Sequence, residues 1–214
     1  MGGVDTTAAA PAQTQTPSPG ILSFILPWNG PEVYPQIDWG NSDPNIDPGI
    51  KANLNELQND FNSLNQNWQK EGHSAIQLNQ VYRPQSYQAY YRSIWEINAI
   101  INNQDNTVGY QCDQTSHLDP AAVKAAYSQA SAADKQTLQT KFNAHQVSGP
   151  TPAGCISDHA SGIALDVLSP VSGSLYTQLI KESQNYGLCH NIAGDQPHYA
   201  LLDKLSAGTN CNQQ

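Results

Sequence analysis

The segment SDHASGIALDV places His159 and Asp166 on either side of a glycine-containing turn, and His198 opens a later apolar stretch within GDQPHYAL. In an extended strand side chains alternate, so Ala164, Asp166 and Leu168 share one face while Ile163, Leu165 and Val167 share the other. A carboxylate set beside the small Ala164 among apolar neighbours needs a partner, because burying it alone costs on the order of several kcal/mol. Zinc supplies such a partner, and a catalytic zinc takes three ligands from His, Asp or Glu and leaves the fourth place to water. His159, Asp166 and His198 are the candidate ligands. Asp195, beside a backbone restrained by Pro197, is placed to act as general base on a metal-activated water.

Taken singly, each residue has an ordinary explanation: Asp166 as a cap on a neighbouring element, His159 as a polar loop residue, Arg83 as half of a surface ion pair. The combination of His159, Asp166 and His198 points to a metal. His73, His117, His145 and His190 have no comparable partner spacing and are assigned no role. His190 beside Cys189 does not make a metal pair, since adjacent strand residues point to opposite faces.

These residues need elements to position them. Ile50, Leu54, Leu57, Phe61, Leu64 and Trp68 recur at alternating steps of four and three, which predicts an amphipathic helix over about 50–70 with Gly72 past its end. SAIQLNQVY reads as a strand, and Pro84 opens a helix whose apolar face includes Tyr87, Tyr91, Ile94 and Ile101. Asp119-Pro120 starts a further helix, and Ser131 with Asp134 has capping-box form before KQTLQTKFNAHQ; these helices form an insertion or a covering layer. A strand around IALDV, a helix from about Ser172 to Tyr186 stopped by Gly187, and a last strand at HYALL complete the order. It predicts an α+β fold, with a small antiparallel sheet carrying the metal site and packed against several helices.

Residues 1–20 hold almost nothing that could join a core and read as a disordered leader or linker. Residues 21–214 then form a single domain, in which 21–49 is an irregular covering segment pinned by Phe24, Trp28, Tyr34 and Trp39. An exposed aromatic strip for sugar is the other reading of that segment. Nine Lys and Arg stand against eighteen Asp and Glu, and the formal charge of −9 argues against nucleic acid or an anionic membrane as partner. GILSFILPW is too short to span a bilayer, and with Lys51 as the first basic residue no signal peptide is visible. Cys112, Cys155, Cys189 and Cys211 are widely spaced, with no C-x-x-C pair, which favours disulfides in an extracytoplasmic protein over a structural zinc site or reduced cytosolic thiols. Three pairings satisfy the count; Cys189 with Cys211 and Cys112 with Cys155 is preferred. No heptad run suggests a coiled coil, so a monomer is expected.

SDHASGIALD resembles the S-x-H-x-x-G-x-A-x-D pattern of the zinc peptidases that include VanY-type D-alanyl-D-alanine carboxypeptidases, VanX-type dipeptidases and phage L-alanyl-D-glutamate endolysins, and matches it at every fixed position. In that family the His and Asp of the motif and a later His bind zinc, which the resemblance carries to His159, Asp166 and His198. VYRPQSYQAYY is similar to the family's tyrosine-arginine element, implying that Arg83 lies over the site and stabilises charge in the tetrahedral intermediate. The family's base is commonly the Glu of a Glu-x-Trp-His element. Here the chain departs with Asp195-Gln196-Pro197-His198, which resembles the endolysin branch, where an Asp does that work. Ser157 matches the motif's serine and is expected to hydrogen-bond substrate. The likeness covers about residues 74–203 and leaves out the leader and the first helix. It implies a Zn2+ peptidase cutting peptidoglycan stem peptides, of the D-Ala-D-Ala carboxypeptidase or L,D-endopeptidase type. The alternatives are a catalytically inactive zinc-containing cell-wall binding module and a purely structural zinc domain.

Overall fold

The first long helix, α1 (Pro48–Lys70), starts two residues ahead of its first apolar position because Asp47 caps it. The Asp47 carboxylate accepts the Gly49 and Ile50 N–H groups at 2.7 and 3.3 Å, and Pro48 takes the first helical position, where no N–H is required. Leu54, Leu57, Phe61, Leu64 and Trp68 are buried along one face. Fully burying such a side chain contributes about 1.5–3 kcal/mol. The computed structural model describes residues 19–104, 118–147, 157–168, 173–192 and 197–211.

After α1 come β1 (Leu78–Gln80), α2 (Gln85–Ile101), α3 (Pro120–Gln129), α4 (Ala132–Ala144), β2 (Ala164–Val167), α5 (Ser174–Gln184), β3 (Leu188–Cys189) and β4 (His198–Leu201). The strand read from SAIQLNQVY is shorter in the structure, because its flanks bond elsewhere. Ile76 N–H donates to Asn65 Oδ1 on α1 at 2.8 Å, while Val81 and Tyr82 N–H donate to the Gln36 and Asp38 carbonyls at 2.9 and 3.2 Å. Helix α5 begins after Gly173, whose φ of +64° suits glycine, and is followed by Gly187 at φ +76°. Asp119 and Ser131 cap α3 and α4 through the N–H groups of Ala121 and Asp134.

The four strands form one antiparallel sheet in the order β1-β2-β4-β3. The fold is therefore α+β, a small antiparallel sheet among five α-helices of the described residues. One sheet face presents Leu165, Val167 and Tyr199 to Phe61 and Leu64 of α1 and Leu179 of α5. Asp166 and His198, at alternate positions, occupy the other face. β3 had no sequence signal, since two residues have no period. Helix α2 is buried almost all round, with α3 and α4 packed on it and on the 3-10 turn Ile21–Phe24.

Beyond that turn, residues 25–47 are irregular. Tyr34 and Asp38 are buried and bond to each other, and Asp38 also accepts the N–H groups of Asn41 and Ser42. Phe24, Trp28 and Trp39 pack half-buried against the core. Cys189 is bonded to Cys211, tying the tail to β3. Cys112 and Cys155 lie outside the described residues. No described helix is long and apolar enough to cross a membrane.

Candidate metal centre

His159 sits in a turn whose shape is set locally. Ser157 Oγ accepts the Ala160 N–H at 3.1 Å, and Ser161, Gly162 and Ile163 N–H donate to the carbonyls of Ser157, His159 and Asp158. Gly162 adopts φ +71°, and a Cβ there would meet the Ile50 carbonyl oxygen at 2.8 Å, so the motif's glycine is required by both conformation and space. Asn53 Nδ2 donates to the Ser161 carbonyl at 3.1 Å. The first helix, which carried no part of the resemblance, thus holds the turn from behind.

Asp166 on β2 and His198 on β4 are register partners. Asp166 Oδ1 lies 3.3 Å from His159 Nε2 and 3.1 Å from His198 Nδ1, and the two imidazole rings meet edge to face at 5.1 Å. One donor atom from each of the three side chains falls within 4.8 Å of the others. Both histidines are buried and Asp166 is half-buried. Burial pushes the Asp166 carboxyl up, but the close His159 and His198 imidazoles outweigh it and hold the group well below the usual carboxylate range. An ionised carboxylate is thus fixed between two imidazoles, a donor set that could hold a metal ion.

The outer contacts fit the same reading. His159 Nδ1 lies 2.6 Å from the Val81 carbonyl oxygen, which can only accept, so Nδ1 carries the proton and Nε2 presents its lone pair to the cluster. His198 Nε2 lies 3.5 Å from Asp158 Oδ2. The Asp158 carboxyl is held below its ordinary value, first by the nearby His198 imidazole and, against the effect of burial, also by the Asn191 side chain.

Arg83 follows β1, close enough to Asp166 for that carboxylate to be the main influence sustaining its charge. Burial pushes the guanidinium down from the ordinary arginine value, and Asp166 opposes this. Arg83 Nε is enclosed and has no hydrogen-bond partner. Arg83 lines a cleft of about 440 Å³ together with Gln80, Tyr34, Tyr87, Tyr91 and His145. Gln80 is the register partner of Asp166, which places this cleft beside the cluster.

The structure therefore brings His159, Asp166 and His198 together, with Arg83 beside them. It shows Ser157 capping the turn. Asp195 lies outside the described residues. Sequence reasoning assigned nothing to Asp158, although it adjoins His159, because no spacing rule links it to His198. His145 was likewise unassigned; it is buried, stacked on Tyr91 at 5.2 Å and 3.1 Å from Glu32 Oε1 through Nε2. No protein-family model, curated protein or solved structure matches the chain.

Proposed function

We propose that the chain is a zinc-dependent peptidase that hydrolyses peptidoglycan stem peptides outside the cytoplasm. The observation that carries the reading is the convergence of His159 Nε2, Asp166 Oδ1 and His198 Nδ1 next to an arginine whose enclosed Nε has no partner. The resemblance of SDHASGIALD to the zinc peptidases of cell-wall metabolism supplies the substrate class. The Cys189–Cys211 disulfide supports an oxidising compartment.

Bound by these three side chains, zinc would supply Lewis-acid polarisation of the scissile carbonyl and lower the pKa of a water toward about 7. Arg83 donates to the oxygen on which charge develops, a role worth about 10²–10³-fold in rate for a preorganised donor. Asp195 takes the proton of the attacking water and passes it to the leaving amine. Tyr87, Tyr91 and Gln80 line the cleft in which the peptide would lie. Ser157 hydrogen-bonds the bound peptide.

The test is to incubate the zinc-loaded protein with purified stem peptides and weigh the products. Loss of a terminal D-alanine identifies a carboxypeptidase, and cleavage after the first L-alanine an endopeptidase. Asp195→Ala should keep its metal and lose either activity. Zinc-loaded protein that leaves every peptide intact would sink the peptidase reading, and retention of those peptides on the protein would then favour the cell-wall binding module.

A further inference from the structure

A histidine that binds a metal through one ring nitrogen keeps a proton on the other, and the acceptor of that proton sets the tautomer, the ring orientation and the donor strength. The two candidate histidine ligands solve this differently. For His159 the acceptor is a main-chain oxygen, Val81 O, at 2.6 Å. His198 turns Nδ1 toward Asp166 Oδ1 at 3.1 Å, and its Nε2, on the far side of the ring from the donor cluster, lies 3.5 Å from Asp158 Oδ2.

Asp158 is itself held. Its carbonyl oxygen accepts the Ile163 N–H at 3.0 Å, closing the turn that carries His159, and the side chain of Asn191, just beyond β3, lies beside its carboxylate and helps keep it ionised. Consecutive residues thus supply one ligand, His159, and the outer partner of the other, Asp158. A carboxylate acceptor pulls harder on the imidazole proton than a peptide carbonyl does, making His198 the more basic donor of the pair.

Resting on the metal reading above, we propose that Asp158 is the positioning residue of His198. It accepts the Nε2 proton, locks the tautomer whose Nδ1 lone pair faces Asp166 and His159, and raises the affinity of the site for a divalent cation. Asn191 in turn fixes the Asp158 carboxylate.

The test is zinc affinity, measured by competition with a chromophoric chelator, in wild type, Asp158→Ala, Asp158→Asn and Asn191→Ala, with the visible spectrum of the cobalt-substituted proteins as a second readout. Asp158→Ala should bind zinc about 10–100-fold more weakly. Asp158→Asn, nearly isosteric and still able to accept the proton but uncharged, should lose less, and Asn191→Ala less again. The cobalt bands should shift in Asp158→Ala, which a purely structural role would not cause. Should Asp158→Ala fail to fold, Asp158→Asn and Asn191→Ala carry the same comparison. Variants that bind zinc within about twofold of wild type with unchanged cobalt spectra would overturn the proposal while leaving the metal reading intact. A wild type that binds neither zinc nor cobalt would overturn both, and that result is read before any variant is made.

Discussion

Asp166 and His198 face each other across the β2–β4 ladder, with Asp166 Oδ1 3.1 Å from His198 Nδ1, so the backbone pairing itself sets the distance between two of the three donors. His159 reaches the same oxygen from a turn outside the sheet. Purified wild type should contain about one equivalent of zinc, as an open three-ligand site requires. His159→Ala, Asp166→Asn and His198→Ala should each lose it. Elemental analysis after gel filtration checks this, and a metal-free wild type that cannot be reloaded would refute it.

Arg83 should separate binding of metal from chemistry. Arg83→Ala keeps the three donors and should retain zinc, while kcat/KM for the cleaved peptide falls about 10²–10³-fold. Arg83→Lys should recover little, because an ammonium lacks the planar fork of donors. Metal content and steady-state kinetics on the same preparations decide the matter.

Gly162 is predicted to be intolerant of a side chain. Its φ is +71°, and an added Cβ would press on the Ile50 carbonyl oxygen at 2.8 Å and on Leu54 Cγ at 3.0 Å. Gly162→Ala should cost roughly 1–3 kcal/mol. The metal-free protein should show this loss in thermal unfolding, and zinc affinity should fall with it because the same turn carries His159.

Glu32 and His145 give the fold an acid-sensitive contact. Burial pushes the Glu32 carboxyl up, but hydrogen bonds with Lys141, Tyr90 and His145 leave it below its ordinary value. Its contribution is present above the unfolded carboxyl pKa, about 4.3, and is lost as pH falls through the folded value. Burial lowers the His145 pKa, against the raising effect of Glu32. Below about pH 6.5 the unfolded chain binds a proton that folded His145 does not, so stability falls as pH drops. Thermal midpoints should therefore decline from pH 7 to pH 5. His145→Gln should flatten that decline, and Glu32→Gln, by removing the anion that opposes the shift, should steepen it.

The Cys189–Cys211 bond spans a separation of 22 residues and anchors the tail to β3. Replacing both cysteines with serine should cost about 2–4 kcal/mol, chiefly by freeing the unfolded chain. Denaturant unfolding of the metal-free protein measures it, and a difference below about 0.5 kcal/mol would contradict the loop-closure account.

Several features were legible before any fold was seen, because they are local. The face Leu54, Leu57, Phe61, Leu64 and Trp68 follows from the helical period, and the caps at Asp119 and Ser131 from residue type before a helix start. The extent of β1 was not legible. Val81 and Tyr82 have strand character, but their N–H groups are taken by Gln36 and Asp38 from far earlier in the chain. His145 looked like any single histidine until Glu32 and Tyr91 closed around it.

By itself the sequence determined the α+β order of elements and the three residue types a metal would need. Alternation along β2 placed Asp166 on one face, and residue spacing singled out His159 and His198. Only the tertiary structure decided that these donors meet, because the β2–β4 register that sets His198 opposite Asp166 is a long-range pairing. Tertiary structure alone also gave His159 the Val81 carbonyl and His198 the Asp158 carboxylate. The physical reason is that periodicity reports the direction of a side chain from its own backbone, whereas tautomer, donor strength and charge depend on whatever distant group packs against it.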